Sequence, residues 1–279
     1  MKKRSGFSTV IIILMLLVGL SLLLYPSFAD YWNSFTQSKA IVNYAEQVAV
    51  LDENEYEQVW EDAFAYNASL KERDNPYLLS DEQKQSYHDS LNIVGNGIMG
   101  YVQIPSISVE LPIYHTTSDI VLAKAIGHLD WTSLPTGGEN THCVISGHRG
   151  LPSAKLFTDL DQLVVGDLFM LHILDETLTY EVDQILIVEP EETEALLVQE
   201  GKDLCTLFTC TPYGINSHRL LIRGHRVANL EESPVIRVTA DAVVLERVVV
   251  APFILTAILL LMMIIMLIPR GKKNRRKGK

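Results

Sequence analysis

Thr206-Leu207-Phe208-Thr209-Cys210-Thr211-Pro212-Tyr213 sets the fold class of this chain. A β-branched and apolar run ends at a cysteine, and a proline two residues later takes the chain out of the strand. A side chain at such a strand end is held by the ladder behind it and still reaches solvent. Downstream, Asn216-Ser217-His218-Arg219-Leu220-Leu221-Ile222-Arg223-Gly224 opens a second strand able to return beside the first. Upstream, Val144-Ile145-Ser146-Gly147-His148-Arg149-Gly150 runs out of a third strand into a histidine between glycines, where the chain turns freely. Three strand ends thus offer Cys210, His148 and Arg219. Arg223 falls on the same strand face as Arg219 by the period of two, so spacing does not choose between the two arginines. Arg149, Arg223 and Arg226, with His218 and His225, read as solvated or structural side chains.

Around these ends, short apolar runs cover Met99 to Ile104, Ile107 to Tyr114, Thr141 to Ser146, Leu168 to Leu174, Thr177 to Val188, Leu204 to Thr209 and Leu220 to Val227. Gly, Pro and Asp clusters divide them, a mainly β pattern typical of a barrel or sandwich. Helical insertions are expected at Ser118 to Ile126, Ser153 to Leu163 and Glu191 to Val198. Before Gly97 the period changes. From Gln37 to Arg73, apolar residues recur at helical spacing and predict two helices that break near Asp52 to Asn54. The segment Arg73-Asp74-Asn75-Pro76-Tyr77 then forces a loop, because proline disfavours helix in the residue before it.

The three cysteines, Cys143, Cys205 and Cys210, leave at least one thiol free. Cys205 lies five positions from Cys210, and Cys143 five from His148, so alternation points each to the face opposite its neighbour, into the interior. Two buried thiols are the expected state, with a Cys143 to Cys205 disulfide as the alternative if their strands are adjacent. No CxxC, HExxH or paired Cys/His spacing is present, so neither a metal nor a cofactor is expected.

At the ends, uncharged apolar runs cover 7–29 and 248–269, each long enough to cross a bilayer as a helix. Lys2, Lys3 and Arg4 precede the first run and seven Lys/Arg residues follow the second. The positive-inside rule then puts residues 1–6 and the basic tail 270–279 in the cytoplasm, and everything between the runs outside the cell membrane. A cleaved signal peptide ending at Ala29 competes for the first run, but its apolar core exceeds the usual ~7–15 residues and favours an anchor. All 34 acidic residues lie between the runs together with 13 of the 23 basic ones, a formal charge of −21 there. That excludes nucleic acid as a natural partner and suits a solvated extracellular domain.

The segments TLFTC at Thr206 to Cys210, GHRG at Gly147 to Gly150 and NSHRLLIRGHR at Asn216 to Arg226, in this order, resemble the sortase family, and within it the pilus-assembling class C enzymes. The resemblance runs from Gly97 to Val227 and implies a closed eight-stranded β-barrel over 97–230, preceded by a helical region at 30–96 and followed by a juxtamembrane segment at 231–247. It implies Cys210 as nucleophile, His148 as acid/base and Arg219, rather than Arg223, as the cation facing the oxyanion. It further implies cleavage of an LPxTG-type sorting signal between Thr and Gly through a thioester on Cys210. Transfer to a lysine of another pilin subunit would then build a covalent pilus. A wall-anchoring sortase with a peptidoglycan-precursor acceptor, or a non-catalytic factor that binds sorting signals, are the alternatives.

The loop at 73–80 resembles the class C lid, an Asp-Pro-aromatic tripeptide covering the groove. Here Asn75 intervenes between Asp74 and Pro76. As a lid, the loop would set Tyr77 over Cys210 and turn Asp74 or Asn75 toward the arginine; as a plain turn it would join two helices.

Overall fold

A computed structural model describes residues 4–229 and Thr256. The expected second membrane run at 248–269, apart from Thr256, lies outside the described residues, as do the segment 231–247 and the basic tail 270–279. The chain divides into two compact units, one of Met1–Ala29 with Pro234–Lys279 and one of Asp30–Ser233.

The first helix, α1, runs unbroken over Arg4–Val48. The sequence suggests a membrane helix over 7–29 and a separate helix from Gln37; the structure joins them, because the eight residues Asp30 to Gln37 contain neither Gly nor Pro to stop the helix. Among the described residues this is one helix long and apolar enough to cross a membrane, with mean hydropathy 1.9 in its apolar part. Within the second unit, the Asp30–Val48 portion is tied to the barrel by side chains. Asp30 accepts from Lys155 N at 2.7 Å, and Asn33 and Gln37 donate to the carbonyls of Ser153 and Lys124, each at 2.7 Å. The buried Tyr44 hydroxyl donates to Met99 O and accepts from Leu174 N, and burial pushes its pKa well above the ordinary tyrosine value.

Helix α2 spans Glu53–Ser69 and starts at a capping box, with Glu55 N donating to the Asp52 carboxylate at 2.8 Å. Helix α3, Asp81–Asp89, starts at a second box built on Ser80 and Gln83. A helical region running on to residue 96 implies a helix after the loop, but its bounds are not set by the sequence pattern, because its one buried residue, Tyr87, gives it no apolar stripe. Tyr66 of α2 donates to Asp130 O at 2.6 Å. The Tyr87 hydroxyl accepts from Thr116 N at 2.9 Å and meets His128 Nδ1 at 3.1 Å. These bonds seat both helices on the barrel, and Ala63, Tyr66, Leu70, Tyr87 and Leu91 join its core.

The strands are β1 Ile98–Ile104, β2 Val109–His115, β3 Ile126–His128, β4 Thr141–Ser146, β5 Leu168–Ile173, β6 Glu176–Val188, β7 Asp203–Thr211 and β8 His218–Arg226. They close into a barrel of order β1-β2-β3-β4-β7-β8-β6-β5. β2–β3 and β4–β7 pair in parallel; the other pairs are antiparallel. Closure leaves no unpaired sheet edge. Seven strands follow the apolar runs. β3 is only three residues long and begins at the last residue of the helix expected over Ser118 to Ile126; that helix, α4, covers Asp119–Leu122 alone. The helices expected at Ser153 to Leu163 and Glu191 to Val198 shrink to single 3-10 turns at Leu160–Gln162 and Glu194–Leu196. For the former, Asn33 claims the Ser153 carbonyl, and Phe157 N, which a helix would bond to that carbonyl, donates to His148 O instead.

Phe169, Leu171, Tyr180, Val182, Leu207 and Ile222 fill the barrel, each such side chain contributing roughly 1.5–3 kcal/mol by burial. Cys143 and Cys205 lie directly opposite one another on β4 and β7, buried and free. Burial, reinforced by the neighbouring Cys143, pushes the Cys205 thiol up.

Candidate active site

Strands β7 and β8 form a hairpin whose register pairs Cys210 with Arg219, Phe208 with Leu221 and Thr206 with Arg223. Direct partners in an antiparallel pair share a face. Alternation turns Cys205 and Leu207 inward and Phe208 and Cys210 outward. The outward set does not face bare solvent: Phe208 and Leu221 pack with Val144, Val188, Leu196 and Trp131 in a second apolar cluster. Cys210 sits at the end of that face, half-buried, whereas the other two thiols are buried.

His148 lies two residues beyond β4, beside the β7 end. Gly147 N donates to Phe208 O at 3.0 Å, and Thr209 Oγ1 donates to Gly147 O at 2.7 Å. The two flanking glycines serve different needs. A Cβ on Gly147 would lie 2.7 Å from Phe157 Cδ2 and 2.8 Å from Ile126 Cγ2, so the residue is required for close packing. Gly150, with φ +78°, supplies the turn. Among the described residues, neither the Cys210 thiol nor the His148 imidazole makes a side-chain hydrogen bond, so both are free to engage a ligand.

The register separates the two arginines that spacing left equivalent. Arg219, opposite Cys210, spends one nitrogen on the carbonyls of Asn216 and His218, both at 3.1 Å. It has no carboxylate partner among the described residues. Arg223 holds Asp183 in a two-pronged fork, both bonds 2.9 Å. His218 is engaged with Glu189 at 3.1 Å, Arg226 lies near Asp203 and the Tyr180 ring, and His225 is exposed. Arg149, read as solvated or structural, has a buried side chain that pairs with the half-exposed Asp161.

Of the loop residues, Asn75 accepts from Tyr77 N at 2.9 Å, an Asx turn that uses its carboxamide locally rather than on Arg219. The Tyr77 ring meets Trp131 edge-on, centroids 5.1 Å apart. Arg73 anchors the start of the loop by donating to Trp131 O at 3.0 Å. Asp74 makes no ion pair among the described residues. The loop thus abuts Trp131, a wall of the face that carries Cys210. Trp131 itself was not singled out from sequence; Trp131 and Tyr77 become partners only in the fold.

A cavity of about 330 Å³ lies on the same side, lined by Arg73, Pro76, Trp131, His142 and Leu196 among others. His142 bonds Thr206 Oγ1 at 2.7 Å and Leu197 O at 2.9 Å. Burial lowers its pKa to about 4, so it is neutral at neutral pH. Thr206 is two outward positions before Cys210, roughly 13 Å along the strand. Among the described residues no group of three His, Cys, Asp or Glu side chains could hold a metal ion. A half-buried thiol with a cation opposite it on the next strand, and an unbonded imidazole in the adjoining loop, suit attack on a carbonyl, proton transfer and stabilisation of an oxyanion.

Comparison with known proteins agrees with this architecture. Residues 102–227 match the sortase domain. Sortase C1 from Streptococcus agalactiae is 48% identical in a match covering 69% of this chain and 100% of that one, with a TM-score of 0.67. Sortase C from Streptococcus pneumoniae, whose structure was described as bearing on pilin substrate specificity, is 46% identical over 68% of this chain and 97% of that one, TM-score 0.61. Sortase D of Bacillus subtilis is 34% identical over 131 residues, 46% of this chain and 63% of the relative, so the chain spans less than two thirds of that curated protein. With the barrel closed in this order and Cys210, His148 and Arg219 gathered at one end of it, the chain belongs to the sortase family.

Proposed function

We propose that the chain is a membrane-anchored cysteine transpeptidase that cuts an LPxTG-like sorting signal between Thr and Gly and joins the upstream protein to a lysine of another pilin subunit. The observation that carries this is the register pair of Cys210 and Arg219 at a strand end to which Gly147, the residue before His148, is hydrogen-bonded. The Cys210 thiolate attacks the Thr carbonyl, and Arg219 donates to the oxyanion that forms. His148 gives its proton to the leaving Gly amine, and the intermediate collapses to a thioester. The incoming lysine, its ammonium proton already lost to water, attacks as the neutral amine; His148 takes the proton released as the C–N bond forms, and Cys210 leaves as the thiolate, completing the isopeptide bond. The apolar cluster of Phe208, Leu221, Val188 and Trp131 suits the Leu and Pro that precede the scissile bond.

The lysine acceptor is supported by likeness to a sortase C described for its pilin substrates. The loop at 73–80 is proposed as the lid of this groove, docked on Trp131. Helix α1 serves as one anchor and the run at 248–269 as a second, with both tails cytoplasmic. The test is the full chain in nanodiscs, given two pilins with sorting signals: covalent ladders that survive boiling in detergent, absent with C210A, are expected. Transfer to a peptidoglycan-precursor amine without ladders would favour the wall-anchoring alternative. Ladders that persist with C210A would reject the catalytic assignment.

A further inference from the structure

Arg149 follows the candidate base, and its side chain is only 8% exposed. One terminal nitrogen donates to Thr211 Oγ1 at 3.1 Å and the other pairs with Asp161. The guanidinium carbon stands 6.0 Å from the centroid of the Tyr213 ring. Thr211 and Tyr213 are the first and third residues after Cys210. The same tyrosine closes on Gly150, where a Cβ would lie 3.0 Å from its Cε2, and Gly150 N donates to Thr158 Oγ1 at 3.2 Å. One guanidinium therefore ties together the loop that carries His148, the chain leaving Cys210 and the 3-10 turn at Leu160–Gln162. The arrangement is not the most stable one for the site: Arg149 Nε is buried with no hydrogen-bond partner among the described residues. An orphaned buried donor costs free energy that an apolar side chain of similar size would avoid.

We propose that Arg149 is a positioning residue: through Thr211 and Tyr213 it fixes the His148 loop against the Cys210 strand end, without itself touching substrate. Its effect on rate rests on the transpeptidase reading above. The physical reason is that proton transfer and attack require near-contact geometry, and a displacement of about 1 Å costs on the order of 10²-fold in rate.

The experiment compares R149M, R149K, T211V and H148A with the unaltered full chain in detergent. One arm measures kcat and KM on an LPxTG peptide. The other measures iodoacetamide alkylation of Cys210 across pH, which needs no sorting substrate. R149M is expected to lower kcat ~10²-fold with KM within about twofold. Part of the loss should return in R149K, and T211V should lose less than R149M. The R149M alkylation profile should move toward that of H148A. An unchanged kcat in R149M, or a kcat loss with an alkylation profile identical to the unaltered chain, overturns the proposal. If the unaltered chain turns over no sorting peptide, the transpeptidase reading fails on its own, and the alkylation profile still decides whether Arg149 positions His148.

Discussion

Arg219 and Arg223 leave the same face of β8, yet the hairpin treats its two ends differently. At the Arg223 end the guanidinium is neutralised by Asp183 in a fork of two 2.9 Å bonds, and the nearby thiol, Cys205, is sealed in the core. At the Arg219 end the guanidinium keeps nitrogens unspent opposite the half-buried Cys210. The end that satisfies its polar groups serves stability, and the end that leaves them unsatisfied is the one proposed for chemistry. A carboxylate fork cancels the field an arginine would otherwise present to a developing oxyanion, so Arg223 is unsuited to the role that Arg219 is free to take.

The sharpest way to break this contrast is at Arg219. R219A is expected to lower the rate of thioester formation by ~10²–10³-fold, measured in a single turnover with sorting peptide, while the unfolding midpoint stays near that of the unaltered chain. R219K should restore only part, because an ammonium lacks the planar fork. R223A should do the reverse: a loss of about 1–2 kcal/mol in urea unfolding, from a part-buried carboxylate left unpaired, with kcat within about twofold. If R223A stopped turnover and R219A only softened the fold, the two ends would have to exchange roles.

His142 provides a comparable test of the closed part of the face. Its pKa falls from 6.5 to about 4 on folding, chiefly by burial. Below pH 6.5 the unfolded chain takes up a proton that the folded chain refuses until about pH 4. Stability is therefore fully present above pH 6.5 and is lost as pH falls toward 4, by about 3 kcal/mol at most for this group. His115, lowered mainly by burial, adds to the same slope. Urea unfolding at pH 7 and pH 4.5 checks this, and H142Q should flatten the slope.

The smallest expected effect is at the loop. Y77A should raise the labelling rate of Cys210 by a small maleimide a few-fold, about 1 kcal/mol, by loosening the edge contact on Trp131. An unchanged rate would reduce the loop to a turn between helices.

The sequence revealed the strands whose apolar runs are long and β-branched, and it marked Cys210 and His148 by their strand ends. It hid β3, since three residues cannot display a period. It also left the bounds of α3 open, although the capping box at Ser80 and Gln83 marks its start. In the sequence, the choice of Arg219 over Arg223 rests on the family resemblance alone, because both residues share one parity; the register places Arg219 opposite Cys210 and Arg223 opposite Thr206. Likewise, the roles of Arg149 and Trp131 come from partners far along the chain, Asp161, Thr211 and Tyr77, which no local pattern connects.

The central claim is that the exposed end of the hairpin performs covalent chemistry at Cys210. The most direct measurement is the intact and peptide mass of the full chain, quenched in acid during turnover of an LPxTG peptide. The account predicts an added mass equal to the acyl fragment ending at Thr, located on Cys210, sensitive to hydroxylamine and absent in C210A. Cleaved peptide appearing without any adduct on Cys210, or an adduct on another residue, would contradict it.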